Sequence, residues 1–442
     1  MSVLIVSVRF LRENPCRELT VRDALRARGV DADVATVGRG LSGLGYAPSD
    51  LAAHPALAEG PHVASLRDFW RAVLPYRAVL LDSWKSSIPL AEIARIAGLT
   101  VFDHDGGGGF DHYPLDSDVS FFKGPAALRV FHHWATPAWS PTPVAVRSRE
   151  TIITGGILHE RWRPEPVAER SAFLRRLGLD ADRRTVLFFP KGVRIFEDKL
   201  NGWFKEGGAA ANDWYLRATD RIVTAVASAG FNLVVKLHPS AYASYRTQAA
   251  HEYRFWTRYP DLAVLAPEDT YAAYAHTDVG LSIVSHAVLD VAYHLRPFVY
   301  VDSADAPMPA KLTYWTTPGL CTLPVGPSTG WDRPPARHPN PYFASWVGGY
   351  CSSGDLGPTL IEGRYRDEDA GHYRAFNREF WSGADGRAGE RIADEIVARL
   401  RSGGPGGRWP RRAPLGWLLS HGPVRRSLRR LVGPAPGPRH GA

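Results

Sequence analysis

The 442-residue chain predicts two doubly wound α/β domains facing a cleft. Three observations predict this fold. Strand-like apolar runs alternate with helical segments in both halves. Helical stretches end in glycine just before the next strand. The chain also exceeds the roughly 250–300 residues at which a single core stops growing.

In the first half, VLIVSV reads as a buried strand, CRELTVRDALRARG as a helix ending on Gly29, and DADVATV as the next strand. RAVLLDS, then LAEIARIAG, then LTVFDHD repeat the rhythm. Strands alternating with helices imply a parallel sheet whose ligands gather at the strands' carboxyl ends, here residues 82–85 and 103–105. GGGGFDHYPLDSDVSFFKG, rich in glycine and aspartate, is expected to be an irregular loop at the domain mouth. Pro- and Gly-rich stretches follow, and ERSAFLRRLGL leads to a fresh strand at TVLFFP. The boundary is expected within residues 165–184, giving an N-terminal acceptor domain over 1–165 and a C-terminal donor domain over 166–402.

The second half runs through a helix at NDWYLRATDRIVTAVASAG, the strands FNLVVKLHP and LAVLAP, the helix TYAAYAHT, the strand VGLSIV, a helix from Ser285 and the strand FVYVD. A last helix, GERIADEIVARL, is expected to close this domain, followed by a basic Pro/Gly-rich tail over 403–442.

Composition narrows the function classes. With 45% hydrophobic and 22% charged residues, the chain is ordinary globular protein. Cys16, Cys321 and Cys351 form no CxxC pair, so neither a zinc site nor a disulfide framework is expected, and a reducing cytoplasm fits. The opening apolar run has no basic region before it and reads as a strand, not a secretion signal. No run of about 18 uncharged apolar residues suggests a membrane span. Arg408, Arg411, Arg412, Arg425, Arg426, Arg429, Arg430 and Arg439 account for the whole formal charge of +8, so the body is neutral and nucleic acid is not an expected partner. The tail's PLGWLLSHGPVRRSLRRLVG joins Trp417, Leu418 and Leu419 to paired arginines, which suits an anionic bilayer surface; a solvated basic tail is the alternative. The expected location is the cytoplasm, with the inner face of the membrane reached through this tail.

Candidate site residues sit at strand ends. In VVKLHP, Lys236 and His238 lie two apart, so both point to one side where Pro239 ends the pairing. In DVGLSIVSHAVLD, an apolar strand turns at Ser285 and His286 into a helix carrying Asp290, and the free N–H groups of such a turn suit a diphosphate. The alternative makes Ser285 an N-cap and Asp290 a helix-dipole residue. FFPKGVRIFEDK supplies Lys191 and Arg194, placed to neutralise charge on a departing nucleotide or else solvated at the surface. In the first half, Asp103, His104, Asp105, Asp111, His112, Asp116 and Asp118 offer a general base for an acceptor hydroxyl. Among them, Asp105 is the expected base, and Asp103 and Asp118 the expected acceptor contacts. Metal binding by this loop is a second use, but no fixed-spacing motif accompanies it, so no metal is expected.

KLHP, the EDTYAAYAHTDVGLSIVSHAVLD block, RPFVYVD and DGRAGERIADEI together resemble the C-terminal domain of CDP-glycerol glycerophosphotransferases and related bacterial surface-polysaccharide transferases, over about residues 185–400. That resemblance implies a GT-B fold of two Rossmann-like domains. It implies His238 as a catalytic or phosphate-contacting histidine, Ser285 as the first serine of a pair and Asp290 as the acid five residues on. Asp385, Gly386, Arg391 and Ile392 match the family's terminal helix motif. His286 stands in place of the second serine and Val284 in place of a tyrosine, so a sugar nucleotide fits as well as CDP-glycerol.

The expectation is a transferase, a glycosyltransferase or glycerophosphotransferase without a cofactor. It would move its group from a nucleotide-activated donor to a cell-surface polysaccharide or polyol-phosphate acceptor. The expected catalytic residues are His238, Asp290 and Asp105, the base being His238 or a carboxylate of the first-half loop, with Lys236, Lys191, Arg194, Ser285 and His286 on the donor phosphate. Two alternatives stand beside it, a nucleotide-sugar epimerase of the same architecture and a non-catalytic subunit of a polysaccharide assembly complex.

Overall fold

The computed structural model describes residues 1–105, 115–128, 150–163, 166–190, 208–247, 250–283, 287–302, 350–365 and 371–403. The chain divides into two units. Unit 1 begins at Met1, runs to Pro164 and resumes at Phe380, while unit 2 is Glu165–Glu379.

Among the described residues unit 1 has seven strands: β1 (Ser2–Ser7), β2 (Asp31–Val37), β3 (His62–Val63), β4 (Ala78–Asp82), β5 (Thr100–His104), β6 (Val119–Phe122) and β7 (Glu150–Ile153). All neighbours pair in parallel, in the order β3-β2-β1-β4-β5-β6-β7. Near-continuous apolar sequence makes the inner strands, because helices cover both faces and neither side chain direction meets water. Val3, Leu4, Ile5 and Val6 of β1 and Val79, Leu80 and Leu81 of β4 are fully buried. β6 lies inside the stretch expected to be an irregular loop. Its four residues, VSFF, are flanked by polar sequence and pair with β5, which local periodicity does not reveal.

Unit 2 repeats the plan with β8 (Thr185–Phe188), β9 (Asn232–Val235), β10 (Leu262–Val264), β11 (Val279–Ser282), β12 (Phe298–Asp302) and β13 (Tyr350–Ser352). The order is β10-β9-β8-β11-β12-β13, again all parallel. The 21-residue helix Gly208–Ser228 supplies Tyr215, Ile222 and Val226 to a core shared with Trp256, Val235 and Leu281.

The terminal helix, Ala388–Arg401, differs from expectation. Its apolar face, with Ala388, Ile392, Ala393, Ile396 and Val397, joins Leu19, Leu25 and Val30 in the core of unit 1, not unit 2. The residues that matched a family motif explain this docking. Asp385 holds Arg391, Gly386 has φ +72°, and Ile392 is buried. The amide N–H groups of Ala388 and Gly389 donate to the Glu160 carboxylate, the latter at 2.9 Å. A carboxylate on the free amides of a helix start satisfies donors that the helix itself cannot.

Candidate functional site

In an open parallel sheet, a ligand crevice forms outside the carboxyl ends of the strands, where the strand order reverses and the flanking connections diverge to opposite faces. That point falls between β1 and β4 in unit 1, and between β8 and β11 in unit 2. Residues just after these strands are therefore the candidates.

In unit 2, the N–H of Lys236 donates to the Phe188 carbonyl at 2.9 Å, extending the β8/β9 ladder one residue past β9. Leu237 then turns into the core, while Lys236 on one side of it is half-buried and His238 on the other is exposed. The alternation thus puts both polar side chains on one side of the strand end. The His238 carbonyl accepts from the Tyr242 N–H at 2.9 Å, so the helix Pro239–Arg246 starts directly from this histidine. Across the switch point, the Ser282 hydroxyl donates to the Phe189 carbonyl at 2.9 Å and fixes the end of β11 against that of β8. The helix Ala287–Tyr293 then carries half-buried Asp290. Gly280 lets this helix approach, because a Cβ there would lie 2.8 Å from Phe298 and 3.1 Å from Val291. Lys191, Arg194, Ser285 and His286 lie outside the described residues, as do Asp111 and His112.

In unit 1, the strand ends hold a buried charged layer. Arg9, two residues past β1, grips Asp82 at the end of β4 through Nε to Oδ2 at 2.8 Å and Nη2 to Oδ1 at 2.6 Å. Its guanidinium also stacks over Trp84, 4.5 Å from the ring centre. Arg17 of the helix Arg17–Ala27 reaches Asp82 at 3.3 Å and Glu18 at 2.6 Å and is fully buried. Burial alone would raise the Asp82 carboxyl, but the Arg9 charge and hydrogen bonds, aided by Arg17, hold it down to about 2. Ser7 and Tyr46 share a hydroxyl hydrogen bond of 2.6 Å beside them.

Next to Asp82 in the ladder stands His104, which ends β5 and is 1% exposed. Burial pushes its imidazole down to about 4, against the opposing pull of Asp82, so the ring is neutral at physiological pH. Neither ring nitrogen has a hydrogen-bond partner among the described residues. An unmet buried polar group costs about 1–3 kcal/mol, so such groups are rare in native proteins.

The three acidic residues expected to act here are each engaged. Asp105 pairs with the buried Lys123 amine at 3.2 Å. Asp118 accepts the Val101 N–H at 2.9 Å and pairs with Arg95 at 3.4 Å, which ties the start of β6 to β5. Asp103 is buried, with the Ser117 hydroxyl 3.5 Å from its Oδ1. Lys123 in turn lies over Trp381, 5.3 Å from the ring centre, and Gly156 leaves room for that ring, since a Cβ there would come within 2.7 Å of it. Arg9, Arg17 and Lys123 were not among the residues singled out from sequence. The available signal was a charge closing an apolar run, as in VSVR and SFFK. Among the described residues no group of three or more histidine, cysteine or acidic side chains could hold a metal ion.

No family model and no curated protein matches the chain, so the resemblance to CDP-glycerol glycerophosphotransferases rests on the quoted motifs alone. Solved structures do align along most of its length. The chain is similar to MnaA of S. aureus in a co-structure with UDP, at 10% identity and TM-score 0.49 over 90% of this chain and 97% of that one. It is similar to UDP-GlcNAc 2-epimerase from Neisseria meningitidis bound to UDP-GlcNAc, at 10% identity and TM-score 0.48 over 90% and 100%. The glycosyltransferase SnogD from Streptomyces nogalater aligns at 12% identity and TM-score 0.46 over 90% and 99%.

Proposed function

We propose that the chain is a GT-B-type enzyme acting on a nucleotide-activated donor, and within that class a transferase. The observation that carries the reading is the unit 2 switch point between β8 and β11, which has Lys236 and His238 at the neighbouring strand end and Asp290 on the helix that follows. Lys191, Arg194, Ser285 and His286 belong to the same strand ends by sequence and complete the proposed phosphate grip. The carbohydrate or polyol-phosphate acceptor is assigned to the strand ends of unit 1, with Asp103 and Asp118 as its contacts.

In the transfer, an acceptor hydroxyl oxygen forms a bond to the donor's glycosyl carbon or to its phosphorus. The bond from that atom to the nucleotide phosphate oxygen breaks, and the electron pair leaves with the nucleotide. His238 or Asp105 takes the hydroxyl proton, while Lys236 and its neighbours stabilise charge on the leaving phosphate. Holding both reactants supplies much of the rate by orientation. No cofactor enters this scheme.

A thermal-shift screen with CDP-, UDP-, GDP- and CMP-linked donors tests the reading, since a ligand at about 100 times its Kd stabilises by roughly 2.7 kcal/mol. Stabilisation by no donor would refute it. Labelled donor then separates the routes. Transfer to an acceptor supports the transferase, an isomerised or free sugar without acceptor supports the epimerase, and binding without turnover supports a subunit of an assembly complex.

Among the described residues no helix is long and apolar enough to cross a membrane. The basic tail, outside those residues, is proposed to hold the enzyme at an anionic membrane surface. Undiminished binding to anionic liposomes after its deletion would refute that role.

A further inference from the structure

We infer that His104 is the contact through which unit 1 reads an uncharged hydroxyl of its ligand. This deepens the proposed function and rests on its assignment of the acceptor to the strand ends of unit 1. The ring is buried at the carboxyl end of β5, beside the sheet's switch point, and among the described residues both nitrogens lack a hydrogen-bond partner.

Four cations near it are already paired with carboxylates, and the buried Asp103 carboxyl stands next to it as well. Arg9 and Arg17 face Asp82 and Glu18, Lys123 faces Asp105, and Arg95 faces Asp118. A phosphate or carboxylate brought to this layer meets these four cations already paired, with the Asp82, Asp103 and Asp105 carboxyls beside them. A neutral imidazole offers one N–H donor and one lone pair. That is the complement of two hydroxyls of a polyol, one donating its O–H to the bare nitrogen and the other accepting from the N–H. In the low dielectric of a buried site such a bond gains strength, and it relieves the unmet polar atoms at the same time. His104 thus recognises a sugar or polyol hydroxyl, and any phosphate of the acceptor is held elsewhere.

The test uses the full chain labelled with 15N-histidine, with the His104 ring resonances assigned by their loss in His104→Gln. Methyl glucoside and glycerol are the uncharged probes; glucose 6-phosphate and glycerol 3-phosphate are their charged counterparts. The expected result is a saturable shift of both His104 ring nitrogens with an uncharged probe, not exceeded by its phosphate ester. A silent His104 with both uncharged probes, or a shift that requires the phosphate, overturns the inference.

A second arm needs no ligand. His104→Leu removes two unmet polar atoms from a buried site and is expected to raise Tm, whereas a lowered Tm would mean that the imidazole is a satisfied structural group. The donor screen fails or succeeds separately. Donor stabilisation with a silent His104 retains the proposed enzyme and rejects this contact. A His104 shift without any donor effect retains the hydroxyl contact and rejects the enzyme.

Discussion

Arg391 holds Asp385 through two hydrogen bonds, Nη1 to Oδ2 at 2.8 Å and Nη2 to Oδ1 at 2.9 Å, and its Nε donates to the Thr154 carbonyl at 2.5 Å. One guanidinium thus fixes the turn before the terminal helix and ties that turn to the end of β7. Two of the residues that most resembled a transferase motif serve here to dock a helix.

Arg391→Ala should therefore weaken the fold. The Asp385 pair is partly exposed and contributes only about 0.2–1 kcal/mol, while the Thr154 carbonyl loses a charged donor. A loss of about 1–2 kcal/mol in urea unfolding is expected, with donor-induced stabilisation retained. A loss of donor binding as large as that of a unit 2 variant would contradict a purely structural role.

Asp82→Asn leaves the Arg9 and Arg17 guanidiniums under-compensated in a buried site, and breaking such pairs costs about 3–5 kcal/mol. Circular dichroism against urea should show this drop. Because the Asp82 carboxyl is held below its ordinary 3.8, down to about 2, its contribution is present above 3.8 and lost as pH falls through about 2. Its acid limb therefore lies well below the physiological range.

His104 creates a second, higher limb. The unfolded imidazole takes a proton near 6.5 and the folded one only near 4, so stability falls as pH drops from 6.5 towards 4. His104→Leu should flatten that part of the Tm–pH curve. An unchanged curve would assign the limb to other groups.

Gly156→Ala forces a Cβ to within 2.7 Å of the Trp381 ring and 3.0 Å of the Lys123 Cβ, a clash in a packed site. Overpacking of this kind costs about 1–3 kcal/mol, readable as a lowered denaturation midpoint. Gly280→Ala, against Phe298 and Val291, should do the same in unit 2.

His238→Ala and Asp290→Ala should each lose about 100-fold or more in turnover on the identified donor while keeping the wild-type unfolding midpoint within about 0.5 kcal/mol, since neither side chain is core. Near-normal turnover in either would remove that residue from the proposed mechanism.

The alternation of strands and helices is readable from local sequence, because each apolar run and each glycine stop is written in consecutive residues. β8 to β12 and the Lys236–His238 strand end were legible on that basis. Which strands adjoin, and so where each sheet's order reverses, follows only from the folded arrangement. It also decided that the terminal helix packs on unit 1, since an apolar helix face does not name its partner. The Arg9–Asp82 pair, between residues 73 positions apart, arises only when β1 and β4 become neighbours. His104 followed the same rule. Its place in a polar loop suggested one member of an acidic cluster, but burial made it a neutral ring with one hydrogen bond to donate and one to accept.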